Sequence, residues 1–117
     1  MHELVSFKLD NNISLITMDD GKANAMSVQM LKGLNDALDR AEQTRGIVIL
    51  AGRENILSGG FDLSVFKSGD NAQILKMLTL GAELSHRLLS FPLPIIAACT
   101  GHAVAMGAFL LLCCDYR

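Results

Sequence analysis

Alternating apolar and polar positions open the chain. Positions 5–10 switch between the two kinds of residue, and a second, mostly apolar stretch, 13–18, follows the turn-prone pair Asn11 and Asn12. A period of two is typical of strands with one buried face. The pattern therefore predicts a β-hairpin.

Helical spacing follows the hairpin. Leucines and alanines recur at three- and four-residue steps through 28–42, which predicts an amphipathic helix with Ser27 as its N-cap and Gly46 at its C-terminal exit. The apolar run 47–51 shows no alternation, which predicts a parallel strand covered on both faces.

The second half of the chain repeats this order. Leucine and methionine spacing predicts a helix over 71–90, which Pro92 and Pro94 end, and 95–99 predicts another apolar strand. A strand, a helix and a strand in this order predict a right-handed βαβ unit with parallel strands. We expect a further helix over 103–114, packed on the sheet.

One segment also fits a membrane span by its length, because 95–114 carries no formal charge. It contains Thr100, Gly101 and His102 at its middle and follows two prolines. We therefore interpret it as a buried strand, a turn and a buried helix, and expect no membrane partner.

Composition narrows the function classes. The chain has 117 residues, 50% of them apolar, and a net charge of −2. This predicts one α/β domain over 1–117. Lysine and arginine are scattered, so neither a nucleic-acid interface nor an anionic membrane patch is indicated. Three cysteines without metal-ligand spacing, and a start without a signal-peptide core, indicate a cytoplasmic protein with reduced core thiols and no metal.

Two glycine-containing loops are the candidates for chemistry. Gly59 and Gly60 follow the first predicted parallel strand, and 101–107 follows the second. Ligands of open parallel sheets lie beyond the carboxyl ends of the strands. If the strands are neighbours, amides of both loops converge on one oxygen atom, which is the architecture of an oxyanion hole. A simple glycine turn before a short helix is the alternative for 59–60.

Three motifs together resemble a known family. They are DDGKANAMS at 19–27, SGGFDL at 58–63, and FPLPIIAACTGHAVAMGAFLLLCCDYR at 91–117. In order and spacing they are similar to the enoyl-CoA hydratase/isomerase family, the crotonase superfamily. The resemblance implies a crotonase-like (ClpP/crotonase) spiral of ββα units, truncated to its N-terminal half.

The resemblance also implies a ligand and the residues that bind it. The ligand is an acyl-CoA thioester, with coenzyme A as part of the substrate and no separate cofactor. The backbone N–H groups of Phe61 and Met106 would stabilise an enolate at the thioester carbonyl. The remaining substrate-binding positions would be Lys22, Ala23, Ala25, Gly59, Gly60, Asp62, Leu63, Gly107 and Phe109.

Two departures bear on the reaction. Phe109 occupies the position of a catalytic glutamate and cannot move a proton. The second acid of the family lies beyond Arg117. Two-carboxylate hydration is therefore disfavoured, and isomerisation or another enolate step is as consistent with the sequence. The alternative is an inactive, half-length domain that binds CoA esters or self-assembles. In either case we expect a homo-oligomer, which is trimer-based in the family.

The other polar residues have structural alternatives. Asp62 is interpreted as a cap of the next turn rather than as an acid. His102 lies in the second loop, where a turn role is favoured over substrate contact. His86 is expected on a helix surface, and His2 shows no metal-ligand spacing.

Overall fold

The computed structural model describes residues 4–117. The predicted hairpin is confirmed: β1 (Val5–Asp10) pairs antiparallel with β2 (Ile13–Met18). The turn between them places both Asn11 and Asn12 at positive φ. Asparagine adopts this conformation at less cost than most residues, which explains the pair at this turn.

Within residues 4–117, the main sheet has four strands, with the hairpin at one edge and two parallel strands beside it. β3 (Ile47–Ala51) lies parallel to β2 on one side and to β5 (Ile95–Ala98) on the other. The predicted parallel pairing of these two apolar strands is therefore confirmed. The predicted burial of β3 on both faces is wrong, because Val48 and Leu50 are buried while Ile47 is exposed and Ile49 half-buried.

Two helices cover the buried face of this sheet. α1 (Val28–Glu42) begins at Ser27, whose side chain accepts a hydrogen bond from the Met30 amide, so the predicted cap is confirmed. α3 (Asn71–Leu89) matches its predicted range to one residue. The core between helices and sheet is aliphatic: Ile16, Leu34, Leu38, Val48, Leu50, Leu84, Leu88 and Ile95 surround one small void.

Gly46 has a different role from the predicted helix exit. α1 ends at Glu42, and Gly46 instead packs against the backbone of Asn12, where a Cβ would stand 2.8 Å from the Asn12 Cβ. A side chain there would collide with the hairpin turn. The glycine is required by close packing, not by the helix end.

A second, two-stranded sheet was not predicted. β4 (Asn55–Ser58) pairs parallel with β6 (Gly101–Ala103), and each strand is followed by a short segment and then a helix. These helices are α2 (Leu63–Lys67), the short helix that the alternative interpretation of 59–60 expected, and α4 (Met106–Cys113). The predicted helix over 103–114 thus begins three residues late, and β4 separates the glycine pair from β3.

The cysteines differ from the expectation that all three are core residues. Cys99 is exposed, Cys113 is half-buried and only Cys114 is buried. Burial raises the pKa of the Cys114 thiol to about 12, with smaller contributions from neighbouring groups. In the described residues, no helix is both long and apolar enough to cross a membrane.

Candidate functional site

The glycine pair follows β4 and is fixed to the loop after β2. The Gly59 amide donates to the Ala23 carbonyl at 2.8 Å, and the Met26 amide donates to the Gly60 carbonyl at 2.7 Å. Met26 and Phe61 form a parallel bridge. The structure therefore brings together the first two predicted motifs, 19–27 and 58–63, as two chain segments lying side by side.

The second glycine-containing loop meets the first at Gly60. Gly60 has φ +94°, and a Cβ on it would stand 2.9 Å from the Val104 carbonyl oxygen and 3.3 Å from the Met106 nitrogen. The Val104 amide in turn donates to the Ser58 carbonyl at 3.0 Å. Only glycine permits both this backbone conformation and this approach of the two loops.

Phe61 lies in the first loop between two amides that already have acceptors. The Gly60 amide donates to the Ser58 hydroxyl at 3.1 Å, and the Asp62 amide donates to the Met26 carbonyl at 3.3 Å. Among residues 4–117, no acceptor receives the Phe61 N–H group. That donor is therefore available to a ligand.

Met106 is the first residue of α4, and its N–H group, like that of Phe61, has no acceptor among the described residues. The next three amides, of Gly107, Ala108 and Phe109, donate to the carbonyls of Val104 and Ala105. Ala105, at the N-cap, supplies no side-chain acceptor. Within the described part of the chain the Met106 N–H group has no acceptor, and it lies at the positive end of the helix dipole.

Two buried polar residues, which the sequence interpretation missed, connect the loops. Asn24 donates from Nδ2 to the Met18 carbonyl at 2.9 Å and to the Leu57 carbonyl at 3.1 Å. The Ser58 hydroxyl donates to the Asn24 carbonyl at 2.7 Å. Ser58 thus contacts all three loop segments, because its own carbonyl accepts from Val104 and its hydroxyl also accepts from Gly60.

The loop that carries Lys22, Ala23 and Ala25 is held by charged side chains. The Asp20 carboxylate accepts from the amides of Lys22 at 2.6 Å and Ala25 at 3.2 Å. Arg53 donates to the Lys22 carbonyl and forms an ion pair with the Asp19 carboxylate at 3.0 Å. Lys22 and Ala23 are exposed on this loop, where a ligand can reach them.

The remaining predicted residues have simpler positions. Asp62 caps α2 by accepting from the Ser64 amide at 2.9 Å, which confirms the structural interpretation of this carboxylate. Leu63 and Phe109 are both exposed, on α2 and α4. His102 is exposed on β6, not in a turn, and His86 is exposed on α3 as expected. His2 lies outside the described residues.

A separate groove lies between β1 and α1. It has a volume of about 380 Å³ and is lined by Val5, Ser6, Phe7, Gly33, Asp36, Ala37 and Arg40. None of the predicted site residues lies in it. We therefore place the candidate site at the meeting of the two glycine-containing loops.

Comparison with known proteins gives a consistent result. The Enoyl-CoA hydratase/isomerase family model matches residues 8–117. A probable enoyl-CoA hydratase of Bacillus subtilis is 33% identical over 116 residues, which cover 97% of this chain and 45% of that protein.

Solved structures agree with this match. An enoyl-CoA hydratase/isomerase family protein from Pseudomonas syringae superposes with a TM-score of 0.94 at 50% identity, covering 98% of this chain and 50% of the other. A probable enoyl-CoA hydratase from Mycobacterium tuberculosis gives 0.95 at 46% identity, covering 98% and 49%. The chain therefore spans about half the length of these relatives.

Proposed function

Because the chain belongs to the enoyl-CoA hydratase/isomerase family and has the fold of its N-terminal half, we propose that it binds an acyl-CoA thioester. In this proposal the Phe61 and Met106 amides both donate to the thioester carbonyl oxygen. The observation that supports it is the pair of amides that have no acceptor among residues 4–117, on two loops that meet at Gly60.

Such a donor pair favours an enolate over a neutral thioester. When a proton leaves the carbon next to the carbonyl, negative charge develops on the oxygen that the two N–H groups contact. Fixed donors stabilise this charge without reorganising, and the start of α4 adds the positive end of a helix dipole. No side chain at position 61 or 106 has to ionise.

The neighbouring segments suit the rest of the ligand. The exposed Lys22 and Ala23, with Ala25, lie beside the glycine loop and would border the CoA moiety. Gly59, Asp62 and Leu63 would line its adenine and pantetheine path, and Gly60 would be a further substrate-binding position. Gly107 and Phe109, on α4, would lie towards the acyl group. CoA enters as part of the substrate, so this function needs no separate cofactor.

Phe109 disfavours hydration among the family's reactions, because it cannot transfer a proton. Its side chain is 56% exposed and carries no titratable group where the family resemblance places an acid. This favours, as a second candidate function, a domain that binds CoA esters without hydrating them. Isomerisation or another enolate step requires a base from another part of the protein or from a partner.

Self-association is part of the proposal. α4 is apolar on all sides, and Leu112 is 60% exposed while Leu110 is fully buried. A helix that is hydrophobic all round is usually covered on every side. A homo-oligomer, trimer-based as the resemblance implies, would cover this surface.

Calorimetric titration of the chain with a saturated acyl-CoA and with free CoA tests the proposal. We expect the acyl-CoA to bind more tightly, and we expect no loss of enoyl-CoA absorbance in a parallel hydration assay. Equal binding of the two ligands, or no binding at all, would contradict the donor pair.

Two glycine variants make the test specific. Gly60→Ala would place a Cβ against the Val104 carbonyl oxygen, so we expect it to remove the preference for the acyl-CoA. Gly69→Ala is the matched control, because Gly69 also has a positive φ, +71°, but has no atom within 4 Å of the added Cβ. Loss of the preference in both variants would indicate general damage to the fold.

A further inference from the structure

A glycine in the middle of α3 lies where the side chains of the two amide donors meet. A Cβ on Gly81 would stand 2.6 Å from the Phe61 Cε1 atom and 3.5 Å from the Met106 Cε atom. Gly81 is buried, and glycine inside a helix is less favourable than alanine because it loses more backbone freedom on folding. The contact with the Phe61 ring explains why alanine is not there.

The side chains of Phe61 and Met106 both pack against α3 at Gly81. The Phe61 ring packs on α3 and makes an edge-to-face contact with Phe66, at 6.4 Å between ring centroids. The Met106 side chain is buried, with 4% of its surface exposed. Each residue therefore has its amide in a loop of the site and the end of its side chain against the same helix position.

We propose that Gly81 is a positioning residue that sets the separation of the Phe61 and Met106 amides. It does so by fixing how closely the Phe61 ring and the Met106 side chain approach α3. An effect of Gly81 on ligand affinity rests on the function proposed above. An effect of Gly81 on the positions of the two amides is independent of that function.

A single methyl group is enough to disturb this arrangement. Carbon atoms pack at about 3.5–4.0 Å, so a Cβ at Gly81 must displace the ring by about 1 Å. Hydrogen bonds of Met26 to Gly60 and Asp62 fix the backbone on both sides of Phe61, so a displaced ring strains this part of the loop. Hydrogen-bond lengths vary over only about 0.5 Å, so a shift of this size weakens contact with a shared oxygen.

Nuclear magnetic resonance of the ¹⁵N-labelled chain tests the positioning role without any ligand. We expect Gly81→Ala to shift the amide resonances of both Phe61 and Met106. Phe61→Leu removes the ring atoms that collide with the new Cβ. Added to Gly81→Ala, it should return the Met106 resonance towards its wild-type position.

A destabilised core variant is the matched control. Leu84→Ala changes the same helix one turn later at a side chain that is 1% exposed, so it lowers stability without pressing on the ring. We expect both amide resonances to stay in place in this variant. Equal shifts in Leu84→Ala and Gly81→Ala, or no compensation by Phe61→Leu, would overturn the positioning role.

Ligand binding separates this inference from the proposed function. With a conjugated enoyl-CoA as the probe, polarisation of the carbonyl shifts its absorbance to longer wavelength. We expect wild type to give the shift and Gly81→Ala to reduce affinity about tenfold or more while free CoA binds as before. If the wild-type protein gives no absorbance shift, the proposed function is rejected. A shift of both the Phe61 and the Met106 amide resonances in Gly81→Ala would still support the positioning role of Gly81.

Discussion

Replacing Ser58 with alanine removes one oxygen atom from the junction of the three loops. The Ser58 hydroxyl donates to the Asn24 carbonyl at 2.7 Å and accepts from the Gly60 amide at 3.1 Å. Ser58, Asn24 and Gly60 are all buried. The variant therefore leaves one buried acceptor and one buried donor without their partners.

The expected cost follows from these two groups. A buried polar group that loses its hydrogen-bond partner costs about 1–2 kcal/mol, so Ser58→Ala should lower the free energy of unfolding by about 2–4 kcal/mol. This is a large share of the about 5–15 kcal/mol that stabilises a typical domain.

Ser14 provides a matched control in the same fold. It is fully buried on β2, and its hydroxyl finds no hydrogen-bond partner among residues 4–117. Ser14→Ala therefore removes a buried hydroxyl that gains nothing from folding. We expect this variant to be neutral or more stable by about 1 kcal/mol.

Urea unfolding followed by circular dichroism measures both variants, since the chain contains no tryptophan for fluorescence. The protein concentration is kept constant because self-association would add to the apparent stability. The reasoning is refuted if both variants lose the same amount, since burial alone, and not hydrogen bonding, would then determine the cost.

Four further experiments test other parts of the structure. Gly101→Ala would place a Cβ on the Asn55 carbonyl carbon, so it should separate β4 from β6 and cost about 2–4 kcal/mol in urea unfolding. Iodoacetamide at pH 8 should label exposed Cys99 before buried Cys114, as peptide mass spectrometry would show. Because folding raises the Cys114 pKa from 9.0 to about 12, its contribution to stability is complete below pH 9 and is lost as the pH rises towards 12, a slope that Cys114→Ala should reduce. Phe109→Glu, at an exposed position, should change stability by less than about 0.5 kcal/mol and give no hydration of enoyl-CoA, because the family resemblance implies a pair of acids and residue 109 supplies only one of them.

The spacing of apolar residues was sufficient to predict the long helices but not the short strands β4 and β6. α1 and α3 repeat their apolar positions over four or more turns, so their bounds are predictable from the sequence. β4 and β6 have four and three residues, and they are strands because they pair with each other across 46 positions, from Asn55 to Gly101. No local pattern encodes such a pairing.

The two loops of the candidate site were predictable from the sequence, but the buried polar residues that connect them were not. The glycine pair and the loop before α4 carry signals in the sequence, since glycine marks positive φ or close approach. Asn24 and Ser58 carry no such signal, because a polar residue in a loop is expected to be exposed. Gly81 interrupts a helical pattern, and that interruption was the available clue to its contact with Phe61.

The proposed donor pair depends on the interior of the fold more than on its surface. The amides of Gly60, Asp62 and Gly107, next to Phe61 and Met106, donate to Ser58, Met26 and Val104, all within the described residues. By contrast, the outer face of α4 is exposed.

The edge of β5 that faces away from β3 is less covered than this interior. It pairs with the short segment 115–116, where the Tyr116 carbonyl accepts from the Ala97 amide at 2.8 Å and the Asp115 amide donates to the Ile95 carbonyl at 2.9 Å. Under the proposed function, a cover over these surfaces would complete an acyl pocket, whereas the hydrogen bonds of the neighbouring amides of Gly60, Asp62 and Gly107 are formed without it. The proposed function therefore separates recognition of a thioester carbonyl from proton transfer. The first relies on backbone amides, and the second relies on side chains that must be supplied both at position 109 and from outside.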